Sequence, residues 1–428
     1  MYDLERRILH ADFNSFYASV ACYLDPKLRP HAVAVAGDPS KRQGIILAKN
    51  ELAKKFGVKT GEAIWQAKQK CPNLVVVPPD YDAYRDFSER GRRIYAEYSD
   101  YVEGFGLDEN WIDLTILTSD FTDAKQMAEV IRARVLEELG ITVSIGVADN
   151  KVFSKLGSDI KKPNAVTLVS PDNYREVAWP LPVSDLLYVG RATGTKLARY
   201  GILTIGDLAN TPPAFLKSTF GKCGLMLHAF ANGHDIAPVM PLGYEAPPKS
   251  VGNGITAPRD LIDNTDVFMT VFMLSESVAA RLRAQGLRAQ VVSLSVRDTG
   301  LYSFIRQCRL PHATDLASEI AAAAMRLFCG NYTWTIPIRS LTVSTGELLG
   351  CDAPAQLTLF SDEHARMREH DLETAVDGIR ARFGYDAIGR AMFLNRDRFS
   401  DFKNPGRDAP VHPVGYLQNC TMDEAIGL

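Results

Sequence analysis

Three acidic residues, Asp12 and the distant adjacent pair Asp108 and Glu109, are the groups best placed to do chemistry. Asp108 and Glu109 sit in the run Gly106-Leu107-Asp108-Glu109-Asn110-Trp111-Ile112-Asp113-Leu114-Thr115. Apolar and polar residues alternate there, which reads as a strand or a tight hairpin. Neighbouring strand residues point to opposite faces, so the two carboxylates share a site only where the backbone bends. In an apolar frame each carboxylate needs a compensating partner, and a divalent cation is the simplest one. Asp12 ends a short strand and precedes a helix, for which Asn14 or Ser15 is a natural cap. Three carboxylates on adjacent strands are what two-metal phosphoryl transfer requires, with ions about 3.5–4 Å apart. The plainer alternatives are a solvated acidic pair and an Asp12 that only caps a helix. The metal reading requires that Asp12 stand beside the other two and that no basic side chain be buried among them.

Residues 11–17 and 107–113 resemble the two metal-binding motifs of the Y-family (DinB/UmuC-type) translesion DNA polymerases. Residues 144–155, followed by Lys161-Lys162-Pro163-Asn164, resemble a third family segment. The three occur in family order and spacing, and the likeness runs to about residue 350. It implies a multidomain α/β and α+β right-hand polymerase with palm, small fingers, helical thumb and a βα little finger domain. It also implies that Asp12, Asp108, Glu109 and the carbonyl of Phe13 bind two Mg²⁺. The amides of Asn14, Ser15 and Phe16, at a helix start, suit phosphate. Tyr17 matches the family's steric gate, whose ring leaves no room for a ribose 2′-hydroxyl. Lys162 matches the lysine that reaches the triphosphate of a bound dNTP. On the fingers helix, Glu51 and Lys54 stand where DinB-type members carry a Tyr and an Arg. Lys54 keeps the charge without the guanidinium fork, and the pair leans toward the UmuC branch.

The elements that must position these residues follow from the chain's order. Residues 1–23 and 80–170 are assigned to the palm, with helices over 123–140 and 152–161 and a strand over 142–147. Lys155 and Lys161 read as ordinary surface charges. Residues 24–79 are the fingers, whose lysines form a basic stretch beside the proposed triphosphate site. Residues 171–238 form a helical thumb resembling a helix-hairpin-helix, in which Gly190 and Gly194 present backbone amides to a DNA phosphate. Residues 239–249 read as a linker. Residues 250–349 resemble the little finger, with helices over 266–284 and 314–329 and a hairpin around Thr299-Gly300. Arg288, Arg297, Arg306 and Arg339 are its expected DNA contacts. Within 350–428, Gln356, Leu357, Leu359 and Phe360 resemble the peptide that docks on the bacterial sliding clamp. Leu372, Ala375, Val376, Ile379 and Phe383 line one side of a helix over 363–383. Arg380, Arg382 and Arg390 are further candidates for DNA contact.

Size and composition set the frame. A chain of 428 residues is too long for one ordinary core. No apolar run reaches the roughly 18–20 residues that span a bilayer. Seven scattered cysteines fit reduced thiols, not zinc or disulfides. The net charge of -3 is unlike a nucleic-acid binder, so basic groups must be segregated on one face. The expected protein is a cytoplasmic, monomeric, low-fidelity polymerase acting on primer-template DNA with dNTPs, in DNA repair and without a membrane. Two rivals stand beside it: a non-catalytic accessory paralogue that binds clamp and DNA, and a metal-dependent nuclease.

Overall fold

The computed structural model describes residues 5–42, 44–353, 362–393 and 422–426. By backbone contacts they fall into two units. One comprises residues Met1–Gly37, Ile45–Ala246 and Val411–Leu428, the other Asp38–Gly44 and Pro247–Pro410.

In the first unit, β1 (Ile8–Phe13) runs into α1 (Phe16–Leu24). A small subdomain follows: β2 (Val33–Ala36), β3 (Ile46–Lys49), α2 (Glu51–Lys55), α3 (Ile64–Lys70) and β4 (Val75–Val77), with sheet order β3-β2-β4. The chain then returns through α4 (Tyr81–Ala96), β5 (Val102–Gly104), β6 (Glu109–Asp113), α5 (Phe121–Leu139), β7 (Val143–Ala148), α6 (Lys151–Ile160) and β8 (Val166–Val169). The main sheet has order β5-β6-β1-β7-β8, with β1 antiparallel to both neighbours. Every residue of β1 is buried, because the strand is covered on both faces. Leu9, Ala11 and Phe13 pack with α4 and α5, while Ile8 joins Trp111, Val152 and Leu156 on the α6 side. His10 and Asp12 share that second face by the strand's two-residue period.

Short helices continue the first unit: α7 (Tyr174–Val177), α8 (Arg191–Ala198), α9 (Ile205–Asn210), α10 (Pro213–Phe220) and α11 (Lys222–Ala231). Their core is continuous with the α6 side of the main sheet. The helix Met422–Ile426 packs there too: Ala425 is fully buried, its carbonyl accepts from the Ile236 amide (2.9 Å), and Asp423 pairs with Lys222 (2.7 Å). The expected linker starts later than its composition suggested. Val239 is buried, Met240 donates its amide to Glu103, and Leu242 donates its amide to Asp100.

The second unit is built from β9 (Ser250–Leu261), α12 (Asn264–Ala284), β10 (Leu287–Asp298), β11 (Ser303–Thr314), α13 (Ala317–Asn331), β12 (Ile338–Gly350) and α14 (Glu363–Phe383). Its antiparallel sheet has order β11-β10-β12-β9. One face buries Val292, Leu294, Val296, Leu341 and Val343 against α12 and α13. The clamp-peptide residues Gln356, Leu357, Leu359 and Phe360 lie outside the described residues.

Candidate active site

Cross-strand register brings the acidic residues together. Asp12 lies directly opposite Glu109 in the β1–β6 ladder, so the two side chains share a face. Asp108 precedes β6 in a bend whose Gly106 sits at φ 113°, a conformation that favours glycine. The Phe13 amide donates to the Asp108 carbonyl (3.0 Å), which fixes that bend against the end of β1. The bend is what lets consecutive carboxylates face one cleft of about 330 Å³, which Asp12, Phe13, Asp108 and Glu109 line. Its other walls include Ser15, Phe16, Tyr17, Lys49, Lys54 and Lys162.

Two lysines reach the carboxylates, which corrects the sequence reading. Lys155, expected on the surface, donates to both Glu109 oxygens (2.8 Å each). Lys162 donates to Asp12 Oδ2 (2.6 Å) and also pairs with Asp159 (2.8 Å). Neither ammonium is fully buried: the side chains are 16% and 29% exposed. Each is held by the acids it reaches, Lys155 by Glu109 and Lys162 by Asp12 and Asp159. Burial is the first cause that pushes Asp108 up to about 6, with Asp12's charge adding to it. Burial also pushes Glu109 up to about 7, against the pull of Lys155. Asp12 is raised by burial although Lys162 opposes the shift. In these rotamers no three His, Cys, Asp or Glu side chains among the described residues surround one point as metal ligands. The donor set nevertheless fits a hard divalent cation. It offers three desolvated carboxylates, two of which accept from the Lys155 and Lys162 ammonium groups.

The helix start behaves differently from expectation at one residue. Asn14 is buried and its amide donates to the Thr142 carbonyl (2.9 Å), so that N–H is not available to phosphate. Its side chain instead latches Ser144 (2.9 Å) and the Asn164 amide (2.8 Å). Ser15 is the N-cap of α1, but at φ 50° and without a side-chain cap bond. Its hydroxyl donates to Glu51 (3.1 Å), and Lys54 donates to the same Glu51 oxygen (2.5 Å). Phe16 is core, as its position in α1 implies. Tyr17 stacks on Tyr84, with ring centroids 4.1 Å apart and planes 10° from parallel. Burial, then the charge of Asp108, pushes its hydroxyl up to about 12.

Lys49, one of the lysines of the basic fingers stretch, lines the cleft, held by Thr60 (2.9 Å). Two groups escaped the sequence reading. His10 is fully buried, with Nδ1 on Ser158 (2.9 Å) and Nε2 3.8 Å from Glu109. Burial and three nearby lysines hold it well below its ordinary value, so it is neutral. Its one signal was the two-residue spacing from Asp12. Lys155, four residues after the start of α6, had no signal distinguishing it from a surface lysine.

Of the expected DNA contacts, Gly190 is the N-cap of α8, but the Gly194 amide donates inside the helix to the Gly190 carbonyl (2.8 Å) and cannot serve phosphate. Arg297 lies on the open face of the β9–β12 sheet beside Ser303 and Ser340, and Arg288 lies on that face near the strand's start. Arg339 sits at a bulge of β12. Arg306 is opposite Leu294, on the helix-covered face, where it donates to Asn331 (3.1 Å). Arg380 and Arg390 both pair with Glu276; Arg380 is largely buried, whereas the Arg390 side chain is 39% exposed.

Comparison with known proteins bears on the same residues. Residues 11–159 match the impB/mucB/samB family, residues 184–235 the thumb domain of DNA polymerase-iota, and residues 248–359 the impB/mucB/samB C-terminal domain. A protein of Acetivibrio thermocellus called DNA polymerase IV is 47% identical over 391 residues, 91% of this chain and 98% of that protein. A DNA polymerase IV of Pelotomaculum thermopropionicum is 36% identical over 387 residues, 90% of this chain and 95% of that protein. A solved Y-family DNA polymerase chimera shares the fold, with a TM-score of 0.70 and 22% identity. The match covers 80% of this chain and 99% of the chimera.

Proposed function

The chain belongs to the impB/mucB/samB family of Y-family DNA polymerases, and from that premise we propose that it is a template-directed DNA polymerase with a two-metal site at Asp12, Asp108 and Glu109. The observation that carries the reading is the in-register pairing of Asp12 with Glu109, with Asp108 at the adjoining bend, in a cleft walled by lysines. Asp12, Asp108, Glu109 and the Phe13 carbonyl would hold two Mg²⁺, which when bound lower the pKa of the primer 3′-hydroxyl and stabilise charge on the transferring phosphoryl group. Lys162, Lys54 and Lys49 neutralise the triphosphate, and the amides of Ser15 and Phe16 orient it. Lys162 exchanges Asp12 for phosphate as the nucleotide arrives. Tyr17, braced by Tyr84, excludes a 2′-hydroxyl.

The remaining regions take the roles that the resemblance implied. Residues 1–23 with 80–170 are the palm, 24–79 the fingers, 171–238 the thumb and 250–349 the little finger. Gly190 and the open sheet face with Arg288, Arg297 and Arg339 meet the DNA backbone. Gln356, Leu357, Leu359 and Phe360 tether the enzyme to the bacterial sliding clamp, which raises its effective concentration at the primer end. Small fingers leave the nascent pair loosely enclosed, which supports synthesis across damaged templates at low fidelity. The UmuC-like leaning rests on Glu51 and Lys54 alone, and the relatives reported above carry the DNA polymerase IV name.

Primer extension with Mg²⁺ tests this. Wild type extends the primer, and Asp108→Ala with Glu109→Ala abolishes extension while DNA binding persists. DNA binding without extension by wild type would instead mean an accessory protein, and primer shortening a nuclease. Tyr17→Ala is expected to lower discrimination against ribonucleotides by at least about tenfold, measured as the ratio of kcat/KM values.

A further inference from the structure

His10 sits in a closed part of the first unit's main sheet. Strand register sets it opposite Trp111 on one side and Gly146 on the other. Gly146 has no side chain, and the backbone of Ser154, Gly157 and Ser158 in α6 fills that place. Ser158 is fully buried, and its hydroxyl has one proton to give. That proton goes to the Lys155 carbonyl (2.8 Å), which can only accept. His10 Nδ1, 2.9 Å from the same hydroxyl oxygen, therefore donates to it. Since His10 is neutral, its Nε2 carries a bare lone pair. This buried Nε2 has no hydrogen-bond partner among the described residues and stands 3.8 Å from Glu109 Oε2. Two acceptors facing each other form no bond, which accounts for a gap wider than a hydrogen bond. An unused buried acceptor is costly, so the group that uses it is to be sought close by.

That group is Lys155. Its ammonium donates to both Glu109 oxygens (2.8 Å each), one of them the oxygen that faces Nε2. Glu109 must let go of Lys155 before it can hold a divalent cation. Only 16% of the Lys155 side chain is exposed, so the released charge needs an acceptor inside the site. We propose, resting on the two-metal reading of the cleft, that His10 Nε2 receives the Lys155 ammonium when Glu109 turns to a cation, so that His10 sets how tightly the cleft holds its metal. Neither group changes protonation in the exchange: Lys155 stays charged and His10 stays neutral. The ammonium trades carboxylate oxygen for imidazole nitrogen over a shift about as wide as a carboxylate, which a four-carbon stem permits. Ser158 fixes the arrangement, because the hydroxyl that orients His10 is itself held by the backbone of Lys155. His10 is thus a positioning residue that acts through Lys155 and Glu109.

Mn²⁺ binding to the full chain, followed by the electron paramagnetic resonance signal of the free ion, tests this without turnover. The binding that Asp108→Ala removes belongs to the cleft. His10→Phe keeps a ring and loses the acceptor, and should raise the dissociation constant of that Mn²⁺ about tenfold. With Lys155→Met there is no ammonium to receive, so His10→Phe on that background should change it less than about twofold. Equal losses on both backgrounds, or no loss on either, overturn the proposal. A wild type that extends primers and binds Mn²⁺ in the cleft, yet is indifferent to His10→Phe, sinks this inference alone. A chain without such binding sinks the two-metal reading with it. Histidine-selective ¹⁵N NMR of the wild type covers the case in which His10→Phe does not fold. Saturating Mg²⁺ should move the His10 Nε2 resonance upfield, as an imidazole lone pair does on accepting an N–H, while Nδ1 stays protonated. A resonance that stays put, or an Nε2 already protonated before metal is added, overturns the proposal.

Discussion

Asp108 is a desolvated carboxylate next to Asp12, and its placement sets function against stability. Burial and the Asp12 charge push its carboxyl up to about 6, above the 3.8 of an ordinary aspartate. A raised carboxylate pKa favours the fold at pH below 3.8, and that contribution is lost as pH rises through about 6. Asp108→Asn should therefore stabilise the metal-free protein at pH 8, by on the order of 1–3 kcal/mol. The gain should vanish near pH 4, and polymerase activity should be lost. Urea unfolding at the two pH values checks the sign. Glu51 makes a second case. Its carboxylate holds Lys54 and Ser15 on the rim of the cleft, so it competes with phosphate for both. Glu51→Gln keeps a hydrogen-bonding group and removes the charge. It should lower the dNTP KM a few fold with little change in kcat, as read by single-nucleotide incorporation. The acidic triad and Tyr17 were legible because motif and spacing carry them. Lys155 and His10 were not, because whether a lysine on an amphipathic helix meets solvent or a carboxylate depends on which strand lies beneath it.

Elements place these groups through close backbone packing, and Gly146 is where that packing is tightest. A Cβ there would sit 1.9 Å from the Ser154 carbonyl oxygen and 2.5 Å from the Ser158 amide nitrogen. Gly146→Ala must push α6 off β7, carrying Lys155 away from Glu109 and Ser158 away from His10. The expected cost is about 1–3 kcal/mol or more, seen in chemical denaturation, with a matching loss of extension. Period-two alternation was enough to read β6 and the hairpin of β10 and β11, whereas β9 was not singled out as a strand. Helix α14 forms over the span its apolar stripe indicated, but the ion pairs of Arg283 with Glu373 and Asp377 join distant charges and leave no local pattern. Arg306, though exposed, is carried by β11 opposite Leu294, and only the cross-strand register reveals that face.

At the scale of the whole molecule, a chain of net charge -3 must bind DNA with locally gathered groups. The open face of the second unit's sheet offers Arg288 and Arg297 among serine and threonine side chains rather than a dense basic field. Arg288→Ala with Arg297→Ala should weaken binding to all sequences alike and reduce the slope of log affinity against log salt by about 2. A break between the two units near residue 246 falls in the stretch whose composition reads as a linker, whereas the return of the C-terminus to the first unit had no signal in a five-residue helix. That return has a topological result. The backbone passes from the first unit into the second near residue 246 and comes back before Met422, whose helix is anchored on Ile236 and Lys222. A single protease cut between residues 243 and 249 should leave two fragments that still co-elute, because the C-terminal fragment keeps its Met422–Ile426 helix docked on the first unit.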